Sequence, residues 1–102
     1  SMTRLTLTLP LVAALAAPLP AAAQSGAEDC AAQASIVAAA VERRSAGDAP
    51  EAATDAVAGE LSGRAAAYAE AVPVIVEWVW SLPEEQLGPD VAESYEAACL
   101  AQ

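Results

Sequence analysis

Apolar positions recur at helical spacing from Cys30 onward. Cys30, Ala34, Val37 and Val41 follow one another at intervals of four, three and four, with Ile36 and Ala40 alongside, so one face of a helix is apolar. Ser25 stands three residues before Glu28, the capping-box spacing that predicts a helix start, while Arg43-Arg44 and Ser45-Ala46-Gly47 predict its end. Asp48-Ala49-Pro50-Glu51 repeats the start signal, with Pro50 in a first turn where its missing amide does no harm. Ala53, Val57 and Leu61 give this second helix a thin apolar stripe. Gly59 and Gly63 each weaken a helix interior by about 1 kcal/mol relative to Ala, so a break is expected near Ser62-Gly63.

The run Arg64 to Val72 is rich in Ala and helical by propensity until Pro73 forces an interruption or a kink. Beyond it Val74, Val76, Trp78 and Trp80 alternate as a strand would, but no second strand-like run offers a partner. The segment is therefore read as a buried helix. Ser81 and Glu84 form another cap pair around Pro83, giving a short turn of helix that Gly88 ends. Pro89-Asp90 opens a last helix in which Val91, Tyr95, Ala98 and Cys99 share a face, with Asp90, Glu93 and Glu96 toward solvent. The predicted fold is all-α: a small Ala-rich bundle of four or five helical segments, without internal repeats and with short linkers.

The beginning of the chain has a different character. Arg4 precedes an apolar stretch from Leu5 to Ala17, and a Pro-bearing segment then ends in Ala21-Ala22-Ala23. This is the layout of a cleavable signal peptide, with Ser1 ahead of the Met read as an expression scar. A membrane anchor is the competing reading, weakened by Pro10, Pro18 and Pro20 and by threonines at 3, 6 and 8. The division expected is residues 1–23 as scar and leader, then 24–102 as a single helical domain whose tip, 24–29, is unordered. Lys, Asn and Phe are absent while Ala and Val abound, which fits a GC-rich bacterial genome and makes the expected compartment the periplasm.

Charge and cysteine count sharpen this picture. Four arginines face 14 carboxylates for a formal −10, and without the leader three arginines remain for −11, which argues against nucleic acid as a partner. Cys30 and Cys99 allow one intramolecular pairing, and in an exported chain of this size a disulfide is the default. That bond would tie the start of the first helix to the end of the last, setting them antiparallel. A redox or metal site would show Cys-x-x-Cys spacing or nearby His, and neither occurs.

With no His and no Lys, histidine triads, Cys-His dyads and Ser-Lys pairs are all unavailable. Carboxylate pairs such as Glu84/Glu85 and Glu93/Glu96 lie in polar contexts with nothing to couple or bury them. The expectation is a non-enzyme without cofactor or metal. Trp78 and Trp80 lie two apart, so on a helix they point about 200° from each other. At least one ring is expected in the core. The other, with Tyr68 or Tyr95 near it and Glu77 beside it, is the candidate partner-binding anchor, an aromatic rimmed by carboxylates. Arg43, Arg44 and Arg64 are expected to cap helix ends or to pair with carboxylates such as Glu60.

Cys30, the Val41-Glu42-Arg43-Arg44 helix end with Gly47, the Tyr68 to Pro73 segment and Tyr95 through Cys99 resemble small secreted helical proteins of proteobacteria, in which one Cys opens the first helix and another closes the last. A fainter similarity is to HdeA-type periplasmic acid-stress chaperones, which carry many basic residues where this chain has three arginines outside its leader. The expected function is a periplasmic binding or accessory protein that engages a basic protein partner. The alternatives are an acid-responsive chaperone and a small anchored subunit of an envelope complex.

Overall fold

The structure, a computed structural model, describes the backbone of residues 21–102 and the side chains from residue 26 onward. The leader expected over residues 1–23 lies, apart from its last three residues, outside the described residues. The chain is all-α, as the patterning predicts: α1 (Ala21–Ser45), α2 (Pro50–Glu60), a 3-10 segment (Gly63–Ala71), α3 (Val72–Ser81), a 3-10 turn (Glu84–Gln86) and α4 (Pro89–Leu100). No strand occurs among the described residues.

Helix α1 is the spine. Its 25 residues span about 37 Å at 1.5 Å per residue, and it touches α2, the long 3-10 segment, α3 and α4. It begins at Ala21, ahead of the Ser25 start that the capping-box spacing predicts, so the expected unordered tip 24–29 is helical. A run of three alanines ahead of Gln24 carries helix propensity that the cap signal did not weigh. At the other end the sequence signal is correct. Gly47 takes φ +91°, its N–H donates to the Arg44 carbonyl at 3.0 Å, and the Asp48 N–H donates to the Arg43 carbonyl at 3.1 Å. These two bonds satisfy carbonyls that the helix end would leave open, and the left-handed backbone they need is one glycine adopts without steric cost.

The largest correction concerns Gly63–Ala71, which winds as a 3-10 helix with a kink at Tyr68 (φ −106°, ψ 21°) rather than as α-helix. Pro73 is the cause. An α-helix through this region would require a Pro73 N–H to bond the Ala69 carbonyl, and the ring would collide with that oxygen. The Ala69 carbonyl instead accepts from Val72, the tighter spacing of a 3-10 turn, and Pro73 falls in the first turn of α3 where no such bond is needed. The interruption therefore precedes the proline, and the Ala-rich propensity is overridden. A second correction is local: Ser81 does not cap the following turn, because its hydroxyl donates back to the Trp78 carbonyl at 2.6 Å.

The core is built from β-branched side chains. Ile36, Val37 and Val41 of α1 meet Val57 of α2, Val72, Ile75, Val76 and Val79 of α3, and Val91 of α4, with Ala40 and Ala53 filling the close approaches. Each fully buried Val or Ile contributes roughly 1.5–3 kcal/mol of transfer free energy, so the cluster is the main source of stability. Burial recurs on α3 at 72, 75, 76 and 79, a helical period. The strand-like alternation is thus resolved into one buried face and one open one, so the segment read as a buried helix is buried along one side only. On α4, Val91 is buried, but Ala98 is exposed and Glu96 half-buried, a modest rotation of the face expected there.

Cys30 and Cys99 form a disulfide with Cα atoms 5.7 Å apart, closing a sequence separation of 69. The Tyr95 hydroxyl donates to Gln33 Oε1 at 2.5 Å, so residues 30 to 33 of α1 run alongside 99 to 95 of α4 in the opposite direction. The two helices are antiparallel.

Candidate functional site

Helix α3 positions both tryptophans, and the helical turn separates them as expected. Trp80 is half-buried and packs against the core. Trp78 keeps 39% of its surface exposed and meets Tyr95 of α4 with ring centroids 6.1 Å apart at 50°, a tilted pair of the kind aromatic quadrupoles favour. Tyr95 is held in turn by its hydrogen bond to Gln33. The exposed indole thus rests on a fixed ring.

Beside this pair, where α3 meets the start of α4, lies an open groove of about 360 Å³. Trp78, Leu82 and Val91 supply its apolar surface, and Glu85, Gln86, Asp90 and Ser94 its polar rim. Asp90 sits in the first turn of α4, where the helix macrodipole favours a negative charge. On the opposite flank of α3, a second groove of about 400 Å³ runs along α2, with Trp80, Pro50, Pro73 and Val76 as its apolar surface and Glu51 and Glu77 among its polar residues.

The five residues proposed from sequence do not form one site. Trp78 lines the first groove with Tyr95 against its ring, Trp80 joins Glu77 at the second, and Tyr68 packs against the core at the kink of the 3-10 segment. Sequence reasoning did not find Leu82, Glu85, Asp90 or Glu51. They are brought to the tryptophans by the turn at Leu82–Gly88 and by the packing of α2 on α3, and no local pattern marks them.

The arginines are committed elsewhere. Arg43 pairs with Glu60 at 2.5 Å and with Asp48 at 3.7 Å, and Arg64 pairs with Asp29 at 2.9 Å and Glu28 at 3.0 Å. Arg44 behaves differently. One terminal nitrogen donates to the Val79 carbonyl at 2.6 Å and to the Leu82 carbonyl at 2.5 Å, so it caps the end of α3 rather than of its own helix. None of the three pairs with Glu51, Glu77, Glu85 or Asp90. The rims of both grooves therefore carry negative charge that no described arginine neutralises.

Among the described residues no three His, Cys, Asp or Glu side chains come together as a metal site, no charged residue is buried, and no buried side-chain polar atom lacks a hydrogen-bond partner. None of the described helices is long and apolar enough to cross a membrane. No protein-family model matches the chain, and no curated protein or solved structure matches it. The geometry sets an indole on a fixed support, with apolar ground beside it and carboxylates around it that no described arginine pairs with.

Proposed function

We propose that this chain is a non-enzymatic binding or accessory protein of the bacterial periplasm that engages a cationic protein partner through its acidic surface, with Trp78 as the anchor. The observation that carries the reading is the half-open indole of Trp78 set on Tyr95 beside a groove whose rim holds Glu85 and Asp90 and, among the described residues, no cation. A Lys or Arg side chain over an indole face gains about 0.5–2 kcal/mol, and the carboxylates beside it add charge complementarity. The overall charge of −10 supports long-range attraction of a basic protein, an effect on encounter rate and partner choice more than on affinity. Oxidation of Cys30 and Cys99 supports a compartment outside the cytosol.

The carboxylates favour this reading over an acid-responsive chaperone. None of the 14 is buried, so protonation relieves no buried charge and breaks only surface ion pairs, each worth about 0–1 kcal/mol.

Site-directed photo-crosslinking from Ser94, inside the groove, in periplasm of the native host tests the proposal. A crosslinked basic protein is expected that weakens from low to moderate salt and is lost in Trp78→Ala. The absence of any crosslinked protein refutes the proposal, as does one indifferent to both salt and Trp78.

A further inference from the structure

We infer that the partner element is a basic amphipathic helix carrying two cations a heptad apart, which lies across α3 and sets one cation in each of the two acidic grooves on its flanks. The inference rests on the binding role proposed above and deepens it by naming the shape and spacing of what is bound.

The outer face of α3 is open along one stripe. Val74, Glu77, Trp78 and Ser81 are all exposed, at the i, i+3, i+4, i+7 spacing of a single helix face, and Val74 keeps 67% of its surface in solvent. This stripe is the ridge between the grooves, since Trp78 lines one and Glu77 and Ser81 line the other. The two grooves also repeat one chemistry. Each has an indole, an apolar floor and two carboxylates that pair with none of the described arginines: Trp78 with Glu85 and Asp90 on one side, Trp80 with Glu51 and Glu77 on the other. Charge complementarity thus asks for a cation at both, and an apolar segment between them to cover Val74.

The ridge sets the spacing. A helix with its side chains is about 10–12 Å across, so a ligand that reaches both flanks of α3 needs its charges that far apart. Residues i and i+7 of an α-helix are about 10.5 Å apart on one face, and i+3 and i+4 fall between them. Same-face residues of an extended strand come at roughly 6.6 or 13 Å, too near or too far. A helix fits and a strand does not. A second copy of this chain fits poorly as well, because it would bring a further −10 against a face that is already acidic.

The probes are three synthetic helical peptides. One has Arg at i and i+7 with Leu at i+3 and i+4, one has the same composition with Arg at i and i+5, and one has a single Arg with Gln in place of the other. Trp78→Phe leaves Trp80 as the sole indole reporter, and Trp80→Phe leaves Trp78, each checked for native helicity by circular dichroism. The heptad peptide is expected to shift the emission of both indoles and to bind about tenfold more tightly than either other peptide. The exposed pair Glu51→Gln/Glu77→Gln is expected to reduce the heptad peptide to the affinity of the single-Arg peptide, and it serves as the readout if Trp80→Phe does not fold. Equal binding of all three peptides with a response from Trp78 alone overturns the inference and leaves the binding role standing. Silence from both indoles removes both. Self-association in sedimentation that Val74→Asp abolishes would assign the face to a second copy instead.

Discussion

Two adjacent arginines are expected to differ sharply in what their loss costs. Arg44 is half-buried and donates from one nitrogen to two main-chain oxygens, of Val79 and Leu82, at the end of α3. Hydrogen bonds from a charged group contribute roughly 1.5–3 kcal/mol each before the cost of ordering the side chain, which for Arg approaches 2 kcal/mol. The net for Arg44→Met is therefore about 1–4 kcal/mol, the Leu82 carbonyl losing the guanidinium while the Val79 carbonyl keeps the Leu82 N–H at 3.2 Å. Arg43 makes only surface ion pairs, to Glu60 and Asp48, so Arg43→Met should cost under about 1 kcal/mol. A domain of this size has a total stability of only about 4–12 kcal/mol, so the first change is large and the second small. Urea unfolding followed by indole fluorescence and by circular dichroism measures both. In a thermal melt the Arg44→Met loss corresponds to roughly 5–30 °C. Equal effects for the two variants, or a change below about 0.5 kcal/mol for Arg44→Met, would refute the assignment of Arg44 as the tie between α1 and the helix that bears the tryptophans.

The double variant Cys30→Ala/Cys99→Ala is expected to lose about 4 kcal/mol, because it frees the unfolded chain from closing a separation of 69 residues; urea midpoints of the oxidised protein and the variant check this, and a difference under 1 kcal/mol would contradict it. Neutral acrylamide should quench Trp78 in Trp80→Phe more strongly than it quenches Trp80 in Trp78→Phe, since Trp78 is the more open ring. Equal quenching would place the two indoles in equivalent surroundings and remove the anchor.

The sequence shows the bundle wherever a signal acts within one turn. The end of α1 at Gly47 and the start of α2 at Pro50 are set by backbone chemistry confined to a few neighbouring residues, and both are read correctly. The absence of a partner strand turns Val74 to Trp80 into a helix, which composition alone cannot do. Reading fails where a distant or competing group decides. Alanine propensity over 64–71 yields to 3-10 winding whose last turn is fixed by the missing amide of Pro73, the Ser81 hydroxyl prefers the Trp78 carbonyl to the amides ahead of it, and Arg44 leaves its own helix for another. The site is half legible for the same reason. That one tryptophan would be open follows from a 200° turn, but the choice of Tyr95 over Tyr68 as its neighbour depends on how α4 packs beside α3.

The pairing of the two sulfurs also bears on how the molecule is made. They lie 69 positions apart and the sequence holds no other cysteine, so only one pairing is possible within the chain and it cannot form before Cys99 is made. A chain emerging amino-terminus first exposes Cys30 while Cys99 is still to come, so the loop closes only after the intervening helices have been made. The closed loop also means that a single backbone cut between Cys30 and Cys99 leaves both pieces covalently joined, and they part only after reduction.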